Sequence, residues 1–247
     1  MRDCLNALRL HAGRFALRTL TRLMPQAIRP TLRRARAEMA AALRHDDATR
    51  RARSLHWDTP LRMNLGCGPN PRAGWLNVDL VPGADLTLDI RRPLPFPDAS
   101  CAEIYAEHVL EHLAYPGEVE EVLRDWWRVL APGGMLSVGV PDTGYPLACY
   151  ASNNDDYFAW CRAQPWNPPW NETRLDQINF HFRQQGLGFG QDHLYAYDVE
   201  TLAVRLTSAG FVDIAQRPYD PARDSWPYTL YLDARKPKRP GGVRQTE

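Results

Sequence analysis

The stretch "MNLGCGPNPRAGWLNVDL", residues 63–80, constrains the fold more than any other. A short apolar run stops at Gly66-Cys67-Gly68, prolines follow at 69 and 71, and a second apolar run ends on Asp79. The same rhythm continues downstream. Strands are expected at 61–66, 75–80, 101–106 and 134–140, with a weaker one at 85–89. A short helix is expected between Asn70 and Trp75. Val119, Val122, Leu123, Trp126 and Leu130 keep helical spacing, and Pro132-Gly133-Gly134 closes that element. Strand and helix in alternation, with short connections, build a parallel sheet covered by helices. Near the end, a helix from an Asp198 N-cap to Gly210 precedes strands at about 211–216 and 228–235.

Two regions stand apart from this rhythm. Residues 1–58 carry 13 Arg against 5 acids, whereas the remainder is acidic, although the whole chain nets only +1. Leu5, Leu8, Ala12 and Leu23 share one side of a helical wheel, with Arg14, Arg18, Arg22 and Arg29 on another. Pro25 and Pro30 interrupt before a second Arg/Ala-rich helix from about Thr31 to Arg53. This extension reads either as a helix packed on the main domain or as a peripheral contact with anionic lipid. Aromatic residues do not interleave with the Arg, so a nucleic-acid partner is not expected. The second region, 143–192, holds Trp160, Trp166 and Trp170 among many Asn and Gln, with no clear period. An insert of this kind covers a site.

The organisation expected is therefore a basic helical extension over 1–58, a catalytic domain over 59–240 with the 143–192 insert over its acceptor, and a flexible tail at 241–247. Five widely spaced cysteines form no CxxC pair, no apolar run reaches membrane-spanning length, and the N-terminus lacks an uninterrupted apolar core for secretion. Arg-rich and acid-poor also describes a mitochondrial presequence. Serine is absent before Ser54, however, and Arg outnumbers Lys 28 to 2 throughout the chain. A cytoplasmic location is expected, and oligomeric state is not legible.

In an open parallel sheet, ligands bind beyond the carboxyl ends of the strands. Glycines at 66 and 68 bring bare backbone to that edge, and Asp79 is placed to accept hydrogen bonds from ribose hydroxyls. A nucleoside satisfies both. A dinucleotide fits poorly, because Pro69 and Pro71 have no N–H for a pyrophosphate, a third glycine is missing and the acid follows too soon.

That stretch, with "LDIRRPLPFPDASCAEIYAEHVLEHL", "WWRVLAPGGMLSVGVPD" and "HLYAYDVETLAVRLTSAGF", resembles in order the class I S-adenosylmethionine-dependent methyltransferases, in particular small bacterial members found among glycan and cell-surface genes. The resemblance covers about residues 61–235. It implies an α/β Rossmann-like sheet, mostly parallel with an antiparallel last strand and helices on both faces, plus the N-terminal helical extension. It implies S-adenosylmethionine as cofactor and a small-molecule or glycan acceptor. Gly66, Cys67 and Gly68, with Asn64 before them, would line the methionine and ribose part. Asp79 would hold the ribose, Leu80 would pack on adenine, and Asp89 and Ile90 would lie beside that ring. Glu107 and His108 would end the fourth strand near the reactive methyl.

A hydroxyl acceptor benefits from a base of near-neutral pKa, which points to histidine. His193, opening "HLYAYD" after the insert, is the first candidate, followed by His108 and by Asp142 after "GVP". Each also fits a structural role, the histidines in hydrogen bonds and Asp142 as a turn cap. His108-Val109-Leu110-Glu111-His112 fits H-x-x-E-H, which in another context binds zinc. No third ligand is evident, so Glu111 and His112 are expected to brace the fourth strand and no metal is expected. Cys67, small and set between glycines, reads as structural. Two rival functions are a binding module without turnover and a nicotinamide-dependent oxidoreductase, the latter disfavoured by the prolines.

Overall fold

The computed structural model describes residues 25–54, 60–80, 83–182 and 190–238. Seven strands form one sheet: β1 Leu61–Leu65, β2 Leu76–Asp79, β3 Leu86–Thr87, β4 Cys101–Glu107, β5 Leu130–Pro141, β6 Val212–Arg217 and β7 Thr229–Arg235. Their order is β3-β2-β1-β4-β5-β7-β6. Pairings from β3 through β5 are parallel, and β7 runs antiparallel to both β5 and β6. This is the Rossmann-like arrangement that the family resemblance implies. The strand order reverses between β1 and β4, so the crevice at their carboxyl ends is where such a sheet takes a ligand.

The central strands are apolar because both faces are covered. Met63, Leu65, Val78, Ile104, Leu136, Val138 and Val140 are fully buried. Helix Gly117–Val129 lays Val119, Val122, Leu123, Trp126 and Val129 into the same core. Helix Val199–Ser208 begins where expected: the Asp198 carboxylate accepts the Thr201 N–H at 2.8 Å.

Three differences from the sequence expectation bear on the site. First, no helix forms between β1 and β2; residues 66–75 are turns only. Pro69 and Pro71 cannot donate, and Asn77 takes over the turn by accepting the Arg72 N–H at 2.7 Å. Second, the described residues of 143–192 contain three short helices, Gly144–Ala151, Asp156–Arg162 and Arg174–Phe182. They share a small core of Cys149, Tyr157, Phe158, Cys161 and Ile178. Third, the chain divides into two compact units, Met1–Ala40 and Ala41–Glu247.

The helix Arg29–Ser54 crosses that division. Within the larger unit, Ala48 and Ala52 join the sheet's core, His45 Nδ1 accepts the Asp89 N–H at 3.1 Å, and Asp46 pairs with Arg92 at 2.8 Å. In the smaller unit, Arg34 pairs with Glu38, while Ile28, Leu32 and Met39 are exposed. The apolar stripe of Leu5, Leu8, Ala12 and Leu23, and the tail 241–247, lie outside the described residues. Among the described residues no helix is long and apolar enough to cross a membrane.

Candidate active site

The two glycines at the end of β1 serve different needs. Both lie at positive φ, +68° for Gly66 and +50° for Gly68. A Cβ on Gly66 would sit 2.3 Å from Val109 Cγ2, whereas one on Gly68 would meet nothing within 4 Å. Packing forbids a side chain at the first, and open space lies against the second. The turn is tied to β2, since the Gly66 N–H donates to the Val78 carbonyl at 2.8 Å and the Gly68 N–H to Asp79 Oδ2 at 2.7 Å.

A cavity of about 390 Å³ opens here, between the glycine turn, Arg72, Tyr105, Glu107 and His108 on one side and Ala222–Trp226 on the other. Glu107 clamps that second wall. Its carboxylate accepts the N–H groups of Ser225 at 3.0 Å and Trp226 at 3.3 Å, and the Tyr231 hydroxyl. Asp224 fastens the same loop from within: Arg217 donates to both its oxygens, at 2.6 and 2.8 Å, and the Tyr105 hydroxyl donates at 3.0 Å. The Arg72 guanidinium stacks 3.5 Å over the Tyr105 ring.

A second cavity of about 400 Å³ adjoins the first, and His108 and Trp226 line both. Its aromatic walls come from the insert and from Tyr228. Trp166 and Phe180 lie parallel with ring centroids 5.9 Å apart, and Trp160 meets Tyr228 edge-on at 4.8 Å. His112 and His193 complete the wall, with ring centroids 5.1 Å apart.

Behind these histidines lies Glu111, 1% exposed. His108 Nδ1 is 3.1 Å from Glu111 Oε1 and His112 Nε2 is 3.8 Å from it, yet neither carboxylate oxygen receives a well-directed hydrogen bond. Burial pushes the Glu111 pKa up, but His108 and then the charges of His112 and His193 outweigh it, holding the pKa at about 2. Burial disfavours charge on His108 as well, but Glu111 and then Glu107 overcome it and raise the pKa. His193 goes the other way: burial dominates and lowers its pKa despite Glu111.

Residues 64–138 match the family described as Methyltransferase domain. That stretch carries a methyltransferase domain, of the class I S-adenosylmethionine-dependent kind that the sequence resembles. S-adenosylmethionine is the cofactor of this class. Among solved structures, a SAM-dependent methyltransferase of Methanosarcina mazei is 15% identical, over 76% of this chain and 97% of that one, with a TM-score of 0.46. A SAM-dependent methyltransferase of Thermotoga maritima, described as a possible histamine N-methyltransferase, is 13% identical over 82% and 94%, with a TM-score of 0.42. A protein of Bordetella parapertussis described as possibly exported is 19% identical over 78% and 67%, with a TM-score of 0.41. No curated protein matches the chain.

In this methyltransferase Gly66, Cys67, Gly68, Asn64 and Glu107 all line the first cavity. Asn64 also braces the turn, donating to the Asn70 carbonyl at 3.2 Å and to Asn77 Oδ1 at 3.0 Å. Asp79 is held against Gly68, and Leu80 lies near Gly190. Ile90 is buried in the core, and the Asp89 carboxylate is engaged by Arg91 at 2.6 and 2.9 Å. Burial, then Asp79, pushes the Cys67 thiol up to about 11, the reverse of the lowered pKa an activated nucleophile needs. His108 and His193 both reach the second cavity. Asp142 does not line either cavity; it caps the following helix through the Gly144 N–H at 2.9 Å and the Tyr145 N–H at 3.3 Å. Sequence reasoning missed Arg72, Tyr105 and the 222–226 wall. Nothing local marks them, because chain topology alone brings them to the cavity.

Proposed function

We propose that this methyltransferase transfers the S-adenosylmethionine methyl to a hydroxyl of a small acceptor, a sugar or glycan-related molecule, held in the second cavity. The observation that carries the reading is His108, which stands on the wall common to both cavities. Methyl transfer from a sulfonium is an in-line displacement, so alignment of acceptor and methyl supplies most of the catalysis. The flat rings of Trp166 and Phe180 suit the C–H face of a sugar, and the polar rim suits its hydroxyls.

His108 has the geometry of a base. Its Nδ1 faces the buried Glu111, and its Nε2 lies 3.0 Å from the Thr229 hydroxyl on the cavity side. It also holds φ +54°, an uncommon conformation for a non-glycine residue and one that clusters at functional sites. This favours His108 over His193 for proton removal and leaves His193 to orient the acceptor. The lack of a helix N-terminus between β1 and β2 further disfavours a nicotinamide dinucleotide.

The proposed location is the cytoplasm, in keeping with four described cysteines that are free thiols. For residues 1–58 the proposed partner is an anionic lipid surface. Exposed Ile28, Leu32 and Met39 recur at helical spacing among arginines, which supports that contact.

The test is incubation of the purified protein with S-adenosylmethionine and a panel of sugars, read by mass for the gain of one methyl. His108→Ala should lower turnover roughly 10²–10⁴-fold. Methylation of a nitrogen or carbon atom instead of a hydroxyl, or parental turnover by His108→Ala on the true acceptor, would overturn the assignment.

A further inference from the structure

We propose that Glu111, His112 and His193 bind a divalent first-row metal ion, of which Zn²⁺ is the type, with its open coordination positions facing the acceptor cavity. The sequence offers His108 and His112 at helical spacing but no third ligand, and so carries no expectation of a metal. The fold supplies the missing donor. His193 comes from beyond the insert to stand beside His112, and one donor atom from each of Glu111, His112 and His193 lies within 4.8 Å of the others.

The anchoring of the two imidazoles suits a metal ion. His112 Nδ1 lies 3.1 Å from the Asp192 carbonyl oxygen, and His193 Nδ1 lies 3.1 Å from the His181 carbonyl oxygen. A carbonyl only accepts, so each Nδ1 carries the hydrogen. That makes Nε2 the nitrogen each ring can offer to a metal. His112 Nε2 is directed to within 3.8 Å of a Glu111 carboxylate oxygen, near enough for one ion to meet both. Neutral imidazoles anchored through Nδ1–H to backbone carbonyls are the arrangement in which histidine ligates metals, because the outer hydrogen bond fixes ring and tautomer.

Glu111 completes the set. It is 1% exposed, and both of its oxygens lack a well-directed hydrogen bond. An ionised carboxylate in the interior needs a compensating charge; His108 Nδ1 stands 3.1 Å from one oxygen, and a bound cation would complete the compensation. Two imidazoles and one carboxylate form a donor set suited to zinc and its neighbours rather than to magnesium or calcium, and three protein ligands leave positions free. His112 and His193 line the acceptor cavity, so those positions open into it. Metal binding itself does not depend on the proposed reaction. Its role, polarising an acceptor hydroxyl, rests on that reading.

The experiment is titration of the full-length, chelator-stripped protein with Zn²⁺, and with Co²⁺ as a visible probe, alongside S-adenosylhomocysteine binding as a check of the fold. The cofactor cavity contains none of the three ligands, so the two readouts separate. One equivalent of metal should bind. His193→Ala, His112→Ala and Glu111→Gln should each weaken it by more than the roughly 10–100-fold that loss of a supporting partner costs. His181→Gln, whose ring nitrogens face Thr143 and Tyr157 at 3.2 Å, should leave metal affinity unchanged. X-ray absorption of the zinc-loaded parent protein should show two imidazole ligands, a result that does not require any variant to fold. Failure of the parent to bind Zn²⁺ or Co²⁺ while binding S-adenosylhomocysteine would overturn the proposal, as would a different imidazole count or variants that bind metal like the parent. Metal binding without S-adenosylhomocysteine binding would leave the metal site standing and sink the methyltransferase reading instead.

Discussion

Replacing Gly66 by Ala separates two costs that the turn imposes on any side chain. At φ +68° an L-residue with a Cβ is disfavoured by about 1–2 kcal/mol. The new methyl would also fall 2.3 Å from Val109 Cγ2, and relieving such an overlap in a packed region costs about 1–3 kcal/mol. The combined loss in urea or thermal unfolding should be about 2–5 kcal/mol. Val109→Ala supplies the control. Removing both Cγ atoms leaves the Val109 Cβ, 3.6 Å from the added methyl, as an ordinary contact. In the Gly66→Ala/Val109→Ala background the overlap cost should disappear and the backbone cost should remain, giving a coupling of about 1–3 kcal/mol in a double-mutant cycle. Gly68→Ala should behave differently. Its methyl meets no neighbour, so only the backbone cost of about 1–2 kcal/mol appears, while S-adenosylhomocysteine affinity drops because the methyl occupies the ligand's space. A Gly66→Ala protein as stable as the parent, or one that Val109→Ala does not relieve, would refute this account of the turn.

The wall that closes the first cavity should weaken in acid. Burial pushes the Asp224 pKa up, but Arg217, the Asp220 N–H and the Tyr105 hydroxyl outweigh it and hold the carboxyl below its ordinary value. A depressed folded pKa means that its stabilisation is present above the unfolded pKa, about 3.9, and is lost as pH falls through the folded value. Asp224→Asn should cost about 1.5–3 kcal/mol at neutral pH and flatten the acid limb of a stability–pH curve; an unchanged limb would contradict the assignment. Deleting residues 1–40 should leave S-adenosylhomocysteine affinity unchanged. Deleting 1–58 should lower the melting temperature, because it removes Ala48, Ala52 and the His45 bond to Asp89; equal melting temperatures would show that the second half of this helix is dispensable. Full-length protein should co-sediment with anionic vesicles at low salt and be released at high salt, and binding to neutral vesicles alike would exclude the arginines as its cause.

Much of the sheet was legible because its signal is local. Buried parallel strands read as apolar runs, and the seven strands fall within a few residues of the expected bounds. The helix opened by Asp198 was legible for the same reason, since an N-cap is a single-residue signal. The insert was not, because its helices are short and gather around a few aromatic and thiol side chains without a sustained period. The β1–β2 connection was misread as a helix although its prolines and Gly74 favour turns. At the candidate site, the glycine turn was legible by residue type, and Gly66 and Gly68 line the first cavity. The gathering of His112 and His193 at Glu111 could not be read, because it depends on where a distant segment returns. At Asp142, the turn-cap role that the sequence also allowed is the one its Oδ1 takes.

The most direct test of the central claim is calorimetry of cofactor binding. S-adenosylhomocysteine should bind the parent protein and NAD should not. Asp79→Ala, which removes the acceptor held 2.7 Å from the Gly68 N–H, should weaken S-adenosylhomocysteine by about 1–3 kcal/mol, or roughly 5–150-fold. NAD binding more tightly than S-adenosylhomocysteine, or an Asp79→Ala protein that binds like the parent, would contradict it.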